Sequence, residues 1–213
     1  MTRATNYDGR SRRYLGLRLE LWVASLSNRL GDGMINRDEF FPRARDTVFR
    51  DWMTQPQVDG LNALLDACPD SWDVRWLAYA LATAFHETAD TMQPLAEYGK
   101  GRGRAYGVNV DGKVYYGRGY VQLTWRSNYA AMSPIVGADL VSDPDLALKP
   151  DIAAKVMFYG MEHGTFTGKK LADFIHQDVC DFLHARQIIN GMDRASLVAG
   201  YAQEFLDAIE AAT

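Results

Sequence analysis

Cysteine is scarce in this chain, with only Cys68 and Cys180 among 213 residues, and neither belongs to a CxxC or Cys/His pattern. A disulfide framework and a structural zinc site are therefore excluded, and the two thiols are expected to lie in a core. A basic excess is also lacking. The formal net charge is −4, whereas a domain devoted to nucleic acid usually carries positive charge to displace counterions from phosphate. Long apolar runs are absent as well: the stretch from Tyr14 to Leu26 is broken by Arg18 and Glu20, so it reads neither as a secretory signal nor as a membrane span. These absences leave a globular chain with 47% hydrophobic residues, long enough to bury one substantial core without staples.

Residues 1–33 differ from the rest, with six arginines and no lysine. Leu15, Leu17, Leu19, Leu21 and Trp22 suggest a short amphipathic element that packs on the domain, or lies on an anionic surface through its arginines. We treat 1–33 as an N-terminal extension and 34–213 as a single domain, with Met34 as an alternative start. Asp32 to Glu39 imitates the second half of a calcium loop, but the first half would place Leu30 at a ligand position. Asn36 capping a helix, with Glu39 closing a capping box, accounts for the same residues.

Beyond Glu39 the apolar periodicity is mostly helical. Leu61, Leu64, Leu65 and Cys68 form one stripe, and Trp76 to Phe85 is apolar nearly all round, which implies burial on several sides. Pro150 suits a helix start and Gly164 its end. Leu171, Phe174 and Ile175 mark a short helix; Phe182, Leu183, Arg186 and Ile189 mark another, ending at Asn190-Gly191. Leu197, Val198, Tyr201, Phe205 and Ile209 mark the last. The clearest strand signal is Val108 to Tyr115 around Asp111-Gly112, a pair that favours a type I′ hairpin turn. The expected fold is mainly α, with one small β-hairpin near residues 108–115.

Two acids stand near a polar, aromatic segment. Glu87 ends the apolar helix, where burial and the negative end of the helix dipole both act against its charge, as suits a general acid. Glu97 lies in a turn-rich stretch before Gly99-Lys100-Gly101-Arg102-Gly103-Arg104, whose cations favour a carboxylate, as suits a base. Ten extended residues span up to about 33 Å, so the two acids can face each other across a cleft. The basic run lacks the GK[ST] ending of a P-loop and reads either as a solvated loop or as a feature favouring an anionic polymer. Gln122, Thr124 and Asn128 offer amides and a hydroxyl, Tyr116 and Trp125 offer aromatic surfaces for sugar rings, and Asn190 can join from the far side. His86 and Tyr98, each beside one acid, complete the substrate-binding set. His86-Glu87 is not the start of HExxH, because position 90 is Asp; metal catalysis is not expected, nor any cofactor. Paired carboxylates beside sugar-binding groups are what hydrolysis of a glycosidic bond requires.

Phe85-His86-Glu87-Thr88, Tyr115-Tyr116-Gly117-Arg118-Gly119 continuing to Gln122-Leu123-Thr124-Trp125 and Asn128-Tyr129, and Ile188-Ile189-Asn190-Gly191 resemble glycoside hydrolase family 19, the chitinases and related phage or prophage endolysins. The resemblance covers about residues 34–210. It implies a bilobed, lysozyme-like helical fold and an inverting mechanism without metal. In it Glu87 matches the general acid, Thr124 the Ser or Thr that helps hold the attacking water, and Gln122, Asn128 and Asn190 the sugar-binding polar residues. Glu97 as base follows from the short interval after Glu87, which resembles the endolysin branch. Peptidoglycan is thus the expected substrate. Chitin is the alternative, and a non-catalytic glycan-binding or phage structural module is a reading of another class. A monomer is expected, with no nucleic acid partner and no stable membrane insertion. Without a signal peptide it would remain in the cytoplasm until released to act at the cell wall.

Overall fold

The computed structural model describes residues 35–213. The expectations for the N-terminal extension, the alternative start at Met34 and the first part of the calcium-like loop fall outside these residues. Six α-helices organise the described chain: α1 (Arg37–Thr47), α2 (Gln55–Ala67), α3 (Val74–Glu87), α4 (Arg126–Val136), α5 (Pro150–His163) and α6 (Ala195–Glu210). Two short antiparallel pairs accompany them, β1 (Leu95–Ala96) with β2 (Arg118–Gly119), and β3 (Ile175–His176) with β4 (Val179–Cys180). No helix among the described residues is long and apolar enough to cross a membrane. The fold is mainly α, as the periodicity implies.

Local chemistry sets the helix ends. Asn36 caps α1 by accepting from the Asp38 N–H at 3.1 Å, but the expected box with Glu39 does not close; Glu39 faces Arg43 one turn on instead. Thr54 and Gln57 do form a reciprocal box at the start of α2. Pro150 occupies the first turn of α5, and Gly164 ends it in the left-handed conformation, φ 72°. Asp73 caps α3 by accepting from the Arg75 N–H at 2.9 Å.

Helix α3 is the axis of the larger core. Leu77, Leu81, Ala84 and Phe85 are buried among Phe40 and Val48 of the α1 region, Leu61 and Leu64 of α2, Met157 and Met161 of α5, and Val198, Phe205 and Ile209 of α6. Fully burying one such large side chain stabilises by about 1.5–3 kcal/mol, so the helix that ends at Glu87 is fixed along its length. A second cluster gathers Tyr115, Leu123, Tyr129, Met132, Val136 and Leu140 against Ile152 and Val156 on another side of α5. Helix α5 contributes to both clusters, and β2 lies beside the second.

Three sequence expectations differ in detail. Asp111 and Gly112 both have positive φ, 53° and 81°, as a type I′ turn requires, but only Val110 and Lys113 pair across it. Val108 is exposed and finds no partner strand, and the paired strands lie at 95–96 and 118–119. The segments at 171–175 and 182–189 shorten to 3₁₀ turns, Leu171–Asp173 and His184–Ile188. Cys68 is half-buried but Cys180 is exposed on β4, so only one thiol is associated with a core.

Candidate active site

Glu87 is the last residue of α3, and its carboxylate is held from the far end of the chain. Arg186 Nη1 donates to Glu87 Oε1 at 2.6 Å. The Arg186 side chain is only 1% exposed, against 20% for Glu87, and its Nε–H donates to the Asp193 carbonyl at 2.8 Å. This cation, which the sequence did not reveal, lies directly against the carboxylate at the helix end. Asn190 follows directly: its N–H donates to the Arg186 carbonyl at 3.0 Å and its side chain is exposed. The segment that supplies Asn190 is thereby tied to Glu87, on the side opposite the β strands in sequence. His86, beside Glu87, is half-buried.

Glu97 is set by strand register. β1 pairs with β2 as Leu95 with Gly119 and Ala96 with Arg118, and the pairing continues to Glu97 opposite Gly117, whose carbonyl accepts the Glu97 N–H at 2.7 Å. The carboxylate is fixed at both oxygens. Tyr106 donates its hydroxyl to Oε1 at 2.9 Å, and the Gly117 N–H donates to Oε2 at 3.0 Å. The bond to Glu97 raises the Tyr106 phenol above the ordinary tyrosine range.

On the other side of the same strand, Arg118 bridges Leu123 through two backbone hydrogen bonds, of 3.2 and 2.8 Å. One residue beyond that bridge lies Thr124. Gly117 is therefore flanked by Glu97 and Thr124, whose main chains are two strand spacings apart, about 10 Å. Gln122 and Trp125 around Thr124 have φ of 53° and 69°, a left-handed conformation that costs a non-glycine residue about 1–3 kcal/mol and is held by its surroundings. Gly117 lies close under Gln122: a Cβ there would stand 2.6 Å from Gln122 Oε1, so any larger residue displaces that side chain.

The expected sugar-binding residues divide. Gln122 turns its amide NH₂ inward, donating to the Leu95 carbonyl at 3.1 Å and the Gly119 carbonyl at 3.3 Å, so it braces the strands as well as facing Gly117. Trp125 is 47% exposed and meets Tyr106 edge to face at 5.6 Å between ring centroids. Tyr98 is fully exposed beside Glu97, and Asn128 is exposed on the first turn of α4. Tyr116 differs from an open platform: it is buried, and the Arg118 guanidinium lies 3.5 Å from its ring centroid. Glu97, Gln122, Thr124 and Trp125 thus share one framework, and Glu87 and Asn190 share another.

Sequence reasoning missed three residues. Arg186 was visible as a charged side chain at an inward position of an apolar pattern. Arg118 stood inside the Tyr-Tyr-Gly-Arg-Gly segment; its buried guanidinium donates to the Val114 and Tyr116 carbonyls, the Tyr129 hydroxyl and Asp145 Oδ1. Tyr106 lies in an irregular stretch that offers no periodic signal. Among the described residues no group of three or more His, Cys, Asp or Glu is placed to hold a metal.

A mainly helical, two-core domain with a carboxylate at a helix end and another on a small β platform has a lysozyme-like fold. Residues 78–164 match the family model described as chitinase class I, glycoside hydrolase family 19. Solved structures agree in fold: a bacterial family 19 chitinase aligns with TM-score 0.60 and 22% identity, covering 83% of this chain and 95% of that one. Chitinase C from Streptomyces griseus HUT6037 aligns with TM-score 0.58 and 21% identity, covering 84% and 78%. Among curated relatives, Endochitinase 1 of Theobroma cacao is 47% identical over 49 residues, which is 22% of this chain and 15% of that protein. Chitinase 12 of Oryza sativa subsp. japonica is 54% identical over 35 residues, 16% and 11% respectively. The likeness to these plant enzymes is thus local. The chain is similar to family 19 chitinases in sequence over residues 78–164 and in fold over most of its described length.

Proposed function

We propose that this chain hydrolyses the β-1,4 glycan of bacterial peptidoglycan by an inverting acid/base mechanism, as an endolysin-like member of family 19. Glu87 protonates the glycosidic oxygen, positive charge develops on the sugar, and water held by Glu97 and Thr124 attacks from the opposite face. The observation that carries this reading is the placement of Glu97 and Thr124 on either side of Gly117, with both oxygens of Glu97 already held. A carboxylate so anchored needs little reorganisation when it orients water. His86, Tyr98, Trp125, Asn128 and Asn190 line the glycan path; Gln122 serves through its carbonyl oxygen, since its NH₂ is engaged; and Tyr116 supports the wall from below. In this reading the chain acts as a monomer, made in the cytoplasm and reaching the wall after release.

Chitin is the second reading, favoured by the relatives, which are endochitinases and chitinases. Digestion of purified peptidoglycan and of chitin oligomers, with mass spectrometry of the products, separates the two. A muramic acid at the new reducing end supports the first. Cleavage of chitin oligomers alone supports the second, and no product from either substrate points to a binding module. Glu87→Gln keeps an oxygen that can accept from Arg186 but removes its counter-charge, so it should abolish turnover in a chain that still folds with reduced stability; a full rate in that variant removes Glu87 from its role.

A further inference from the structure

The geometry points to an anion-reading subsite beside Glu97, formed by Lys100, Arg102, Arg104 and Arg126, that takes the carboxylates borne by an acidic glycan. This rests on the peptidoglycan reading above and names the feature of that polymer which the site would recognise. Arginines elsewhere in the described chain are mostly paired with a carboxylate, Arg50 with Glu204, Arg75 with Asp73, Arg118 with Asp145 and Arg186 with Glu87 among them. Lys100, Arg102, Arg104 and Arg126 are exposed and have no carboxylate partner among the described residues. Three of these unpaired cations stand on the loop that follows Glu97 and the fourth is next to Trp125, so in a chain of net charge −4 this stretch carries the sign opposite to the whole.

The loop that carries three of them is built as a fixed element. Successive N–H groups of Lys100, Arg102 and Arg104 donate to the carbonyls of Glu97, Gly99 and Gly101 at 2.9–3.0 Å. Gly101 presses on Gly107 so closely that a Cβ on Gly107 would lie 1.8 Å from the Gly101 carbonyl oxygen. Tyr106, just before that contact, reaches both Glu97 and Trp125, and Arg126 is the next residue after Trp125. The positive loop is thus tied to Glu97 and to the exposed Trp125 indole, with the exposed Tyr98 ring at its base. Exposed aromatic rings suit sugar faces and nearby cations suit charged substituents. A chitin chain is neutral, whereas a peptidoglycan strand carries either lactyl carboxylates or those of its peptide stems.

Binding of the full chain carrying Glu87→Gln, which prevents turnover, tests this by calorimetry. Three ligands of equal length serve: glycan strands freed of their peptides and bearing lactyl carboxylates, strands that keep their stems, and neutral chitin oligomers. Replacing Lys100, Arg102 and Arg104 together by Gln should reduce the preference for one or both acidic ligands over the neutral one about tenfold, and added salt should erode the same preference in the parent. Arg102→Lys with Arg104→Lys should retain it. Loss with one acidic ligand only identifies the carboxylate that is read. An unchanged preference in the Gln variant, equal weakening for all three ligands, or equal loss in the Lys variant overturns the subsite. A wild-type chain that binds acidic strands selectively but cleaves none overturns the hydrolytic reading instead.

Discussion

Arg186 and Glu87 meet at 2.6 Å although 99 positions separate them in sequence. The pair joins the end of α3 to the 3₁₀ turn His184–Ile188, and it fixes one oxygen of the proposed acid. The guanidinium is almost wholly buried, so it needs its partners: Glu87 on one side and the Asp193 carbonyl on the other. A planar fork can serve both directions at once, which a lysine ammonium cannot do with the same geometry.

Arg186→Gln leaves Glu87 without its cation and is expected to destabilise the fold by about 3–5 kcal/mol, the usual cost of breaking a buried ion pair from one side. Arg186→Lys retains charge but loses the fork and should fall between that variant and the parent. Urea unfolding of the three proteins measures the order. Turnover of Arg186→Lys, assayed where it is fully folded, should also drop, because Glu87 loses its fixed orientation.

Tyr106→Phe removes one of the two hydrogen bonds that hold Glu97, and a single such bond to a charged group is worth about 1.5–3 kcal/mol. Because Glu97 is half-exposed and the Gly117 N–H remains, the expected effect is a several-fold fall in kcat with little change in KM. The raised phenol adds a pH signature. A group whose folded pKa lies above its unfolded value contributes stability fully below the unfolded value, near 10 for tyrosine, and loses it as pH rises through the folded value. The difference in stability between parent and Tyr106→Phe should therefore be constant at neutral pH and shrink above about pH 10, read by urea melts across that range.

The two thiols should respond differently to an aromatic disulfide reagent. Cys180 is exposed, whereas burial pushes the Cys68 thiol up to about 12. One thiol should react in the native protein and two after denaturation. The native reaction should be slow, since partial burial also raises Cys180.

How far the fold and the site were legible in the sequence depends on the range of each interaction. Helices α2, α3, α5 and α6 were readable because their apolar spacing and end signals are local, as at Pro150 and Gly164. The Asp111-Gly112 turn was equally local, but whether Val108 and Val110 find partners depends on distant chain, and they do not extend into strands. Glu87 and the segment to Asn128 were singled out by residue type and spacing. The bracing of Glu97 by Tyr106 and Gly117, and of Glu87 by Arg186, arises only when distant segments meet. Gln122 shows the same limit from the other side: its amide looked free for sugar, and half of it holds the Leu95 and Gly119 carbonyls.

In the proposed reaction, water held by Glu97 and Thr124 attacks the sugar directly while Glu87 protonates the leaving oxygen. Proton NMR of the first reducing ends released, recorded before mutarotation, tests this most directly. An inverting reaction, which in general needs carboxyl groups about 6.5–9.5 Å apart to leave room for the water, must yield the α-anomer from a β-linked glycan. Early appearance of the α-anomer is the result expected; initial release of the β-anomer would mean a retaining reaction and would contradict the roles given to Glu97 and Thr124.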